Sequence, residues 1–352
     1  MASTEFAAGS AFAAQIWSKQ LTRETASKMF FKRLMSASMD MPIKFLRDLI
    51  RSPGEKIFHD LLVDDRAPGR TGDAQLRSFE SAMVFYQDSL LIDQLRKGVE
   101  FRGMSQQRVV HDLRAQARSV LSSWWARVFD ITMFAYLAGT TGTVAGNPEC
   151  MLNFFPGGTF AGNSMRSPDA DHTYDPSSTQ TLVVIDNTIE MAKTVNPKIE
   201  PFNIEGGNYY AYIMHPYAAT ALRTATANNT WTNIQQYANV RGATNPIFSG
   251  ALGVYNGTIL YESEYIPRNS AGGSNPDTQN LFLGKNAGAF ALGNAWGAGV
   301  SSPGMFRWAE DTWDYGNVMG IGATAIFGIQ ANQWNSDRHG CIVVTTDDQA
   351  HT

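Results

Sequence analysis

The stretch between Ser105 and Gly139 constrains the fold more than any other part of this 352-residue sequence. Apolar side chains recur there in steps of three and four, which is the spacing of one face of an α-helix. No proline interrupts the pattern, Ser105 can cap its start, and Gly139 follows its last apolar residues. We therefore predict one helix on the order of 50 Å long, at about 1.5 Å per residue. Its apolar positions are Val110, Leu113, Ala117, Val120, Leu121, Trp124, Val128, Ile131, Met133 and Phe134.

The residues in front of this helix predict a long β-hairpin. Residues 55–63 and 81–91 can form its two strands, and the polar, turn-rich residues 64–73 can form its tip. A lone hairpin is only marginally stable in water, so we expect this one to lie against another surface.

The first 54 residues predict an N-terminal arm with little core of its own. Residues 29–41 combine basic side chains with Phe and Met, a composition that suits docking on a partner or on a membrane surface. Residues 42–50 can add a short helix before Ser52, Pro53 and Gly54 interrupt the pattern.

Helical and extended patterns alternate after residue 180 without a regular βαβ repeat, which predicts an α+β fold. Residues 140–180 are loop-like and too long for an ordinary connection. The helical patterns cover residues 182–195, 217–223 and 231–238, and the extended ones cover residues 209–214, 253–261, 281–292 and 319–345.

Charged residues make up only 17% of the chain, and they are unevenly distributed. Residues 1–130 contain 19 of the 28 basic and 15 of the 32 acidic residues, so they are net +4 and the remainder is net −8. This asymmetry suits a chain whose front lies on the back of an identical neighbour, although drift in composition between two lobes explains it equally well. The overall charge of −4 argues against a general nucleic-acid binder.

Two further features limit where the chain can function. No apolar run is long enough to span a membrane, so we expect no membrane partner. The two cysteines, Cys150 and Cys341, can form one bridge at most, so a reducing compartment is the default expectation.

The chemically active side chains form no complete catalytic or ligand-binding motif. Asp169, Asp171, His172 and Asp175 alternate like the ligands of a calcium loop but lack its glycine and its distal glutamate. Residues 320–325 read Gly-Ile-Gly-Ala-Thr-Ala, but the residues that follow look extended rather than helical, which argues against dinucleotide binding. We therefore predict no catalytic residues, no metal and no cofactor.

Several sequence blocks match one family. The most specific spans residues 245–257 and reads NPIFSGALGVYNG. With the arm, hairpin, long helix and mixed lobe, these blocks resemble the coat proteins of tailed bacteriophages, which have the Hong Kong 97-type fold, and more closely the major capsid proteins of N4-like podoviruses. The resemblance covers roughly residues 55–345, but the hairpin tip is richer in arginine and poorer in glycine than the family pattern. The other blocks are residues 91–96, 104–108, 124–127 with Asp130, 214–216, 231–238, 314–317 and 340–342.

This resemblance implies a structural role. The chain would be a major capsid protein whose pentamers and hexamers form the icosahedral shell of a phage head around double-stranded DNA. It would assemble in the host bacterial cytoplasm and remain in the virion, with scaffolding, decoration and portal proteins as further partners and DNA as a weak, non-specific neighbour. Two alternatives stay open: an encapsulin-like cellular shell, and a cytoplasmic enzyme or binding module with its site in the 140–180 loop.

The resemblance also implies a division of the chain into five segments. They are the N-terminal arm 1–54, the extended hairpin and its return 55–103, the spine helix and peripheral domain 104–180, the axial domain 181–320, and the C-terminal strands 321–352 that return to the peripheral domain.

The candidate site residues are contacts between subunits. Arg66, Arg70 and Arg77 lie at or just beyond the hairpin tip, and we hypothesise that they meet acidic residues of an adjacent subunit. The alternative is a solvated tip whose charges keep the free subunit soluble. Trp124 and Trp125 are adjacent on the long helix, where such a pair faces the core on one side and an interface on the other.

Overall fold

The computed structural model contains a mixed α+β fold, which confirms the predicted class. It describes residues 11–38, 40–62, 69–73, 75–77, 79–140, 163, 165–204, 206–225, 252–269, 277–295 and 305–349. The helices in these ranges are α1 Ala11–Lys28, α2 Asp48–Arg51, α3 Gly103–Arg108, α4 Leu113–Ala138, α5 Leu182–Thr194 and α6 Pro216–Thr224. The strands are β1 Met35–Ser36, β2 Ile43–Leu46, β3 Lys56–Leu62, β4 Phe85–Leu91, β5 Asp93–Arg102, β6 Thr173–Tyr174, β7 Phe202–Ile204, β8 Gly207–Met214, β9 Gly253–Tyr255, β10 Thr258–Glu262, β11 Arg268–Asn269, β12 Asp277–Leu283, β13 Gly288–Leu292, β14 Phe306–Trp313, β15 Val318–Ala331, β16 Gln333–Trp334, β17 Asp337–Arg338 and β18 Cys341–Thr346.

The long predicted helix is α4, but it begins later than the sequence pattern suggested. Asp112 is its N-cap, and its side chain accepts a hydrogen bond from the backbone N–H of Arg114 at 2.9 Å. Ser105 lies instead in the separate short helix α3, which ends where Val109 turns extended. The prediction that Ser105 caps the long helix was therefore wrong, and α4 is 26 residues, or about 39 Å, long.

The long helix ends where the sequence predicted, with Gly139 directly after its last residue, Ala138. Gly139 adopts the left-handed conformation, with φ of 72°, and its backbone N–H bonds to the carbonyl of Ala135. Such a residue closes a helix by satisfying a carbonyl that has no partner within the helix.

The predicted hairpin is also present. β3 and β4 pair antiparallel from Lys56 opposite Leu91 to Leu62 opposite Phe85. The chain then continues into β5, which pairs with β15 over ten residues from Asp93 to Arg102. The hairpin is thereby joined at its base to the main body of the chain.

The second half of the chain forms an eight-stranded sheet with the order β6-β18-β12-β8-β10-β9, in which β11 pairs with β12 and β7 with β8. Side chains of β8 alternate between its two faces: Ala211 and Ile213 point to the core that contains α4, while Tyr210 and Tyr212 join a second core with α5 and α6. This two-sided burial explains why the strand reads as a continuous apolar run.

The other large sheet has six strands, with the order β1-β2-β13-β15-β14 and with β5 also paired to β15. Phe290, Phe306 and Phe327 of this sheet pack on Phe129 and Trp125 of α4. α4 therefore contributes to a core shared with both sheets. Residues 320–325, the glycine-containing motif, lie within β15 and are extended as expected.

The strand pairing crosses the segment boundaries that the family resemblance implied. β13 and β14, from the predicted axial segment 181–320, pair within the six-stranded sheet, whereas β18, from the C-terminal segment, pairs with β12 in the eight-stranded sheet. The five-segment division stays a prediction. The predicted helix at residues 231–238 lies outside the described residues.

The N-terminal arm packs into the main core of its own chain. Leu21, Phe31 and Leu34 are fully buried there, and β2 pairs parallel with β13. Residues 29–41 were expected to dock on a partner or a membrane surface, but their apolar side chains at Met29, Phe31 and Leu34 are covered by the chain itself. None of the described helices is both long and apolar enough to cross a membrane.

Candidate subunit interface

The base of the hairpin is fixed to the body by a buried carboxylate. Asp88 on β4 accepts hydrogen bonds from both terminal nitrogens of Arg166, at 2.5 and 2.6 Å, and from the backbone N–H of Gln333 at 3.2 Å. Burial alone would raise the pKa of Asp88, but the bonds and charge of Arg166 hold it below its ordinary value. His59 on β3 lies buried beside this pair and against the ring of Trp334.

The hairpin also carries large apolar side chains that the described part of the chain leaves largely exposed. Phe85 is 60% exposed and Met83 is 76% exposed. Large apolar side chains clustered at the surface of a soluble chain mark an interaction site. We call this set the hairpin patch; its members are Phe58, Leu76, Phe79, Met83, Val84 and Phe85.

Two of the three predicted arginines lie beside the hairpin patch. The guanidinium carbon of Arg70 lies over the ring of Phe79, 3.3 Å from its centroid, and Arg77 is exposed. Within the described part of the chain, neither forms a salt bridge. Arg66 lies outside the described residues, so the structure places Arg70 against the patch at Phe79, while Arg77 follows the patch residue Leu76 in the sequence.

The tryptophan pair divides into a core residue and a half-buried one. Trp125 is fully buried within its own chain, with its ring centroid 5.0 Å from that of Phe306, and its role as an interface residue stays a prediction. Its burial follows from its place on the stripe of α4 that faces β14 and β15. Trp124 packs edge-on against Trp125 and lies under the ammonium group of Lys97, 5.4 Å from the ring centroid. It is the more exposed candidate interface residue of the pair.

The acid-and-histidine loop forms local structure. Fully buried His172 lies 2.9 Å from Asp169 through its Nδ1, and the carboxylate of Asp175 accepts the backbone N–H of Ser177. Among the described residues, no group of three or more His, Cys, Asp or Glu side chains is arranged to hold a metal ion. Cys341 is buried with a free thiol, while Cys150 lies outside the described ranges.

Sequence reasoning missed the anchor of the hairpin. Asp88 and Arg166 are 78 residues apart, and no local pattern marks either one as the partner of the other. The one available signal was the charge at Asp88 inside a strand that otherwise alternates toward the core, because a buried carboxylate requires a partner.

Comparisons with known proteins point to one family. The family model described as phage capsid protein matches residues 5–349. The major capsid protein of Pseudomonas phage KPP25 is 25% identical over 355 residues, covering 91% of this chain and 89% of that protein.

Solved structures give the same result. The capsid of Ralstonia phage GP4 matches with a TM-score of 0.80 and 28% identity, over 100% of both chains. The capsid of cyanophage Pam1 matches with a TM-score of 0.69 at 16% identity, over 98% of this chain and 94% of that one. The likeness therefore extends over the whole length, from the N-terminal arm to β18.

Proposed function

This chain belongs to the phage capsid protein family, and from that premise we propose that the hairpin patch joins each copy of the chain to the next copy in the shell. The chain is a phage major capsid protein with the Hong Kong 97-type fold, and it forms the shell of the phage head. The proposal concerns the residues through which the copies bind each other.

This proposal rests on one observation: the hairpin patch is exposed, while the base of the hairpin is fixed by the Asp88–Arg166 pair. Each large apolar side chain that becomes buried contributes about 1.5–3 kcal/mol at most, so covering even half of the patch stabilises a contact substantially. Because the Asp88–Arg166 pair fixes the direction of the hairpin, less conformational freedom is lost when it binds.

We propose that the arginines fix the orientation in which the two copies meet at this apolar contact. Arg70 and Arg77 carry charge at the edge of the patch, and residues 131–352 hold the acidic excess of the chain. Each exposed arginine–carboxylate pair is worth only about 0–1 kcal/mol, but it suppresses wrong alignments. The contact repeats in every subunit of the shell, so small effects per subunit change assembly strongly.

The same proposal includes the finer features of the assembly. The copies form pentamers and hexamers in an icosahedral shell around double-stranded DNA, and they assemble in the host bacterial cytoplasm before the virion is complete. Scaffolding, decoration and portal proteins are proposed partners to which we assign no residues, and the N4-like podoviruses are the proposed subgroup. Trp124 is the proposed contact on the long helix.

The test compares two triple variants of Arg66, Arg70 and Arg77. Replacement of all three by Glu reverses the charge, whereas replacement by Lys retains it and removes only the planar fork. We expect the Glu variant to fold with the thermal stability of the wild type and to form no shells. The Lys variant should form shells less efficiently, and added salt should weaken wild-type assembly.

A third variant, Phe85→Ser with Met83→Ser, separates the apolar contribution from the charge. This variant should also fold but form no shells, and its failure to assemble should be the same at low and high salt. Normal shells from the Glu variant and from the serine variant, seen by negative-stain microscopy and sedimentation, would show that the hairpin patch is not the contact.

A further inference from the structure

Helices α1 and α4 are strongly basic in a chain whose overall charge is negative. Residues 11–36, which include α1, contain five basic side chains and one acidic side chain, and α4 contains three basic and one acidic. The two segments together are therefore net +6, whereas the whole chain is net −4. A surface built from these two helices differs in charge from the rest of the molecule.

Polar bonds hold the two helices side by side. Arg118 on α4 binds the carboxylate of Glu24 on α1, with its Nε 2.9 Å from an oxygen of that group. The ammonium group of Lys28 donates to the hydroxyls of Ser122 and Ser123 at 2.7 and 2.8 Å. Because the bonded positions advance together along both helices, α1 and α4 run in the same direction and expose a common face.

The exposed side chains of α1 lie on one arc of the helix. Lys19 and Arg23 are about one turn apart on this arc, about 6 Å along the helix axis. Lys28 is exposed at the border of the arc with α4. We call this surface the helix-pair face; its polar members are Lys19, Gln20, Arg23, Ser27 and Lys28 of α1 and Ser119 of α4.

The acidic side chains of these two segments do not neutralise the face. Glu24 is bound to Arg118, and buried Asp130 accepts backbone N–H groups of the arm. Within the described part of the chain, none of Lys19, Arg23 and Lys28 forms a salt bridge with a carboxylate. The face therefore presents three exposed cations whose charge is available to an anion from outside the subunit.

From this arrangement we infer that the helix-pair face binds the phosphate backbone of double-stranded DNA, without preference for sequence. Lys and Arg bind DNA by displacing its counterions, and uncharged donors such as Gln20, Ser27 and Ser119 add hydrogen bonds to phosphate oxygens. From Lys19 to Lys28 the helix rises about 14 Å, the length of about four nucleotides of one strand. The inference rests on the proposed function, because DNA is the polyanion that a phage head encloses.

The composition of the face favours DNA over a protein partner. Lysine is depleted in protein–protein interfaces, whose buried centres are apolar, whereas protein–DNA interfaces are polar and strongly positive. Among the described side chains of α1, Ile16 alone is large, apolar and exposed. An acidic segment of another protein is the remaining alternative, and the experiment distinguishes it from DNA.

Each subunit should bind DNA only weakly. The overall charge of −4 argues against a general nucleic-acid binder, but the local charge of a surface decides whether phosphates bind there. Non-specific binding of this kind has a Kd of about 10⁻⁴–10⁻⁶ M at physiological salt. In a closed shell the contact repeats in every copy, so many weak contacts act on the same DNA molecule.

The experiment measures how the free, full-length subunit binds a fluorescently labelled DNA duplex of about 30 base pairs between about 50 and 200 mM salt. We expect binding that weakens as salt rises and that is equal for a second duplex of unrelated sequence. In the variant Lys19→Glu with Arg23→Glu, the affinity should fall at least about tenfold, and the slope of log affinity against log salt should become shallower by about 2. The matched control is Lys193→Glu with Lys198→Glu, which changes the net charge equally at two exposed lysines on and just after α5 and should bind like the wild type.

Thermal unfolding of each variant serves as the control for folding. Equal losses of affinity from the two Glu variants, or the absence of salt-dependent binding by the wild type, overturn the inference. Polyglutamate that binds the wild type more tightly than a duplex of equal charge would assign the face to an acidic protein segment and also overturn it. Because the subunit is measured free, a failure to bind DNA leaves the hairpin contact untouched, whereas failure of the wild type to form shells counts against the proposed function instead.

Discussion

The carboxylate of Asp130, in the middle of α4, accepts the backbone N–H of Phe30 at 2.8 Å and that of Phe31 at 3.3 Å. Asp130 is only 2% exposed. The rings of Phe30 and Phe31 pack on Phe134, one turn further along the helix. This buried acid therefore helps to hold the N-terminal arm against the long helix, together with the bonds from Lys28 to Ser122 and Ser123.

This relationship predicts a stability that depends on pH. Burial raises the pKa of Asp130 to about 7, although the two backbone N–H groups and Arg33 lower it. The folded chain thus binds this proton more tightly than the unfolded chain, in which the pKa is near 3.8. The stabilisation is fully present below about pH 4 and is lost as the pH rises to about 7.

The variant Asp130→Asn isolates this effect from the other titrating groups. Its amide oxygen can still accept the backbone N–H groups, but it does not ionise. Between pH 5 and pH 8 we expect the wild type to lose on the order of 2 kcal/mol of unfolding free energy relative to the Asn variant. Equal changes in the two proteins, measured by chemical denaturation at both pH values, would contradict the assignment.

The two tryptophans of α4 should differ sharply in their contribution to stability. Trp125→Ala removes a fully buried ring from among Phe129, Phe306 and Phe327, and it should destabilise the subunit by about 3–5 kcal/mol. Trp124→Ala should cost about 1–2 kcal/mol, because that ring is only half-buried. If Trp124 contacts another subunit, its truncation should reduce assembly more than it reduces the thermal stability of the free subunit. Equal losses of stability from the two variants would contradict this order.

The elements that sequence alone predicted are those with strong local periodicity. The spacing of apolar residues identified α4, and the alternation around a polar tip identified the β3–β4 hairpin. The start of α4 was misplaced because Ser105 and Asp112 are both good capping residues. The choice between them depends on the tie of Gly103 to Asn317, which no local pattern contains.

The residues that anchor these elements to one another could not be predicted. Phe31 and Leu34 look like the apolar face of a free amphipathic segment, and only their burial in the shared core shows that they stay within the chain. The hairpin itself could be located by its polar tip, but its anchor at Asp88 and Arg166 depends on a tertiary contact. Buried charges in general follow from the fold rather than from spacing.

The C-terminus of α4 is closed by a buried arginine, which gives a further prediction. Arg338 is 1% exposed, and its guanidinium donates to the carbonyls of Leu137 and Arg166, with a longer bond to Tyr136 at 3.5 Å. Arg338→Met has a similar length but leaves these carbonyls without this donor, so it should destabilise the chain by about 2–4 kcal/mol. Thermal unfolding measures this loss. The stability of Arg338→Lys should lie between those of the wild type and the Met variant, because one ammonium group cannot reach all three carbonyls. A Met variant as stable as the wild type would rule out the capping role.

The last prediction concerns the anchor that directs the hairpin. Asp88→Asn keeps the shape of the side chain but leaves the partly buried guanidinium of Arg166 without its carboxylate, which should cost about 2–4 kcal/mol. This loss of stability should first affect the hairpin, because its base depends on the Asp88–Arg166 pair. We expect hydrogen exchange in β3 and β4 to accelerate while α5, in the other core, is unchanged. Asp60→Asn is the matched control, because Asp60 lies on β3 but is exposed.

Loss of the anchor should also affect assembly. If the hairpin must be held in one direction to bind a neighbour, Asp88→Asn should assemble more weakly than Asp60→Asn at a temperature where both variants are fully folded. The pKa of Asp88 is held below its ordinary value by Arg166, so the protection factors of β3 in the wild type, which correct for the intrinsic pH dependence of exchange, should fall only when the pH is low enough to protonate this carboxylate. Identical exchange and assembly in the two variants would show that the hairpin is held by its packing alone, without the ion pair.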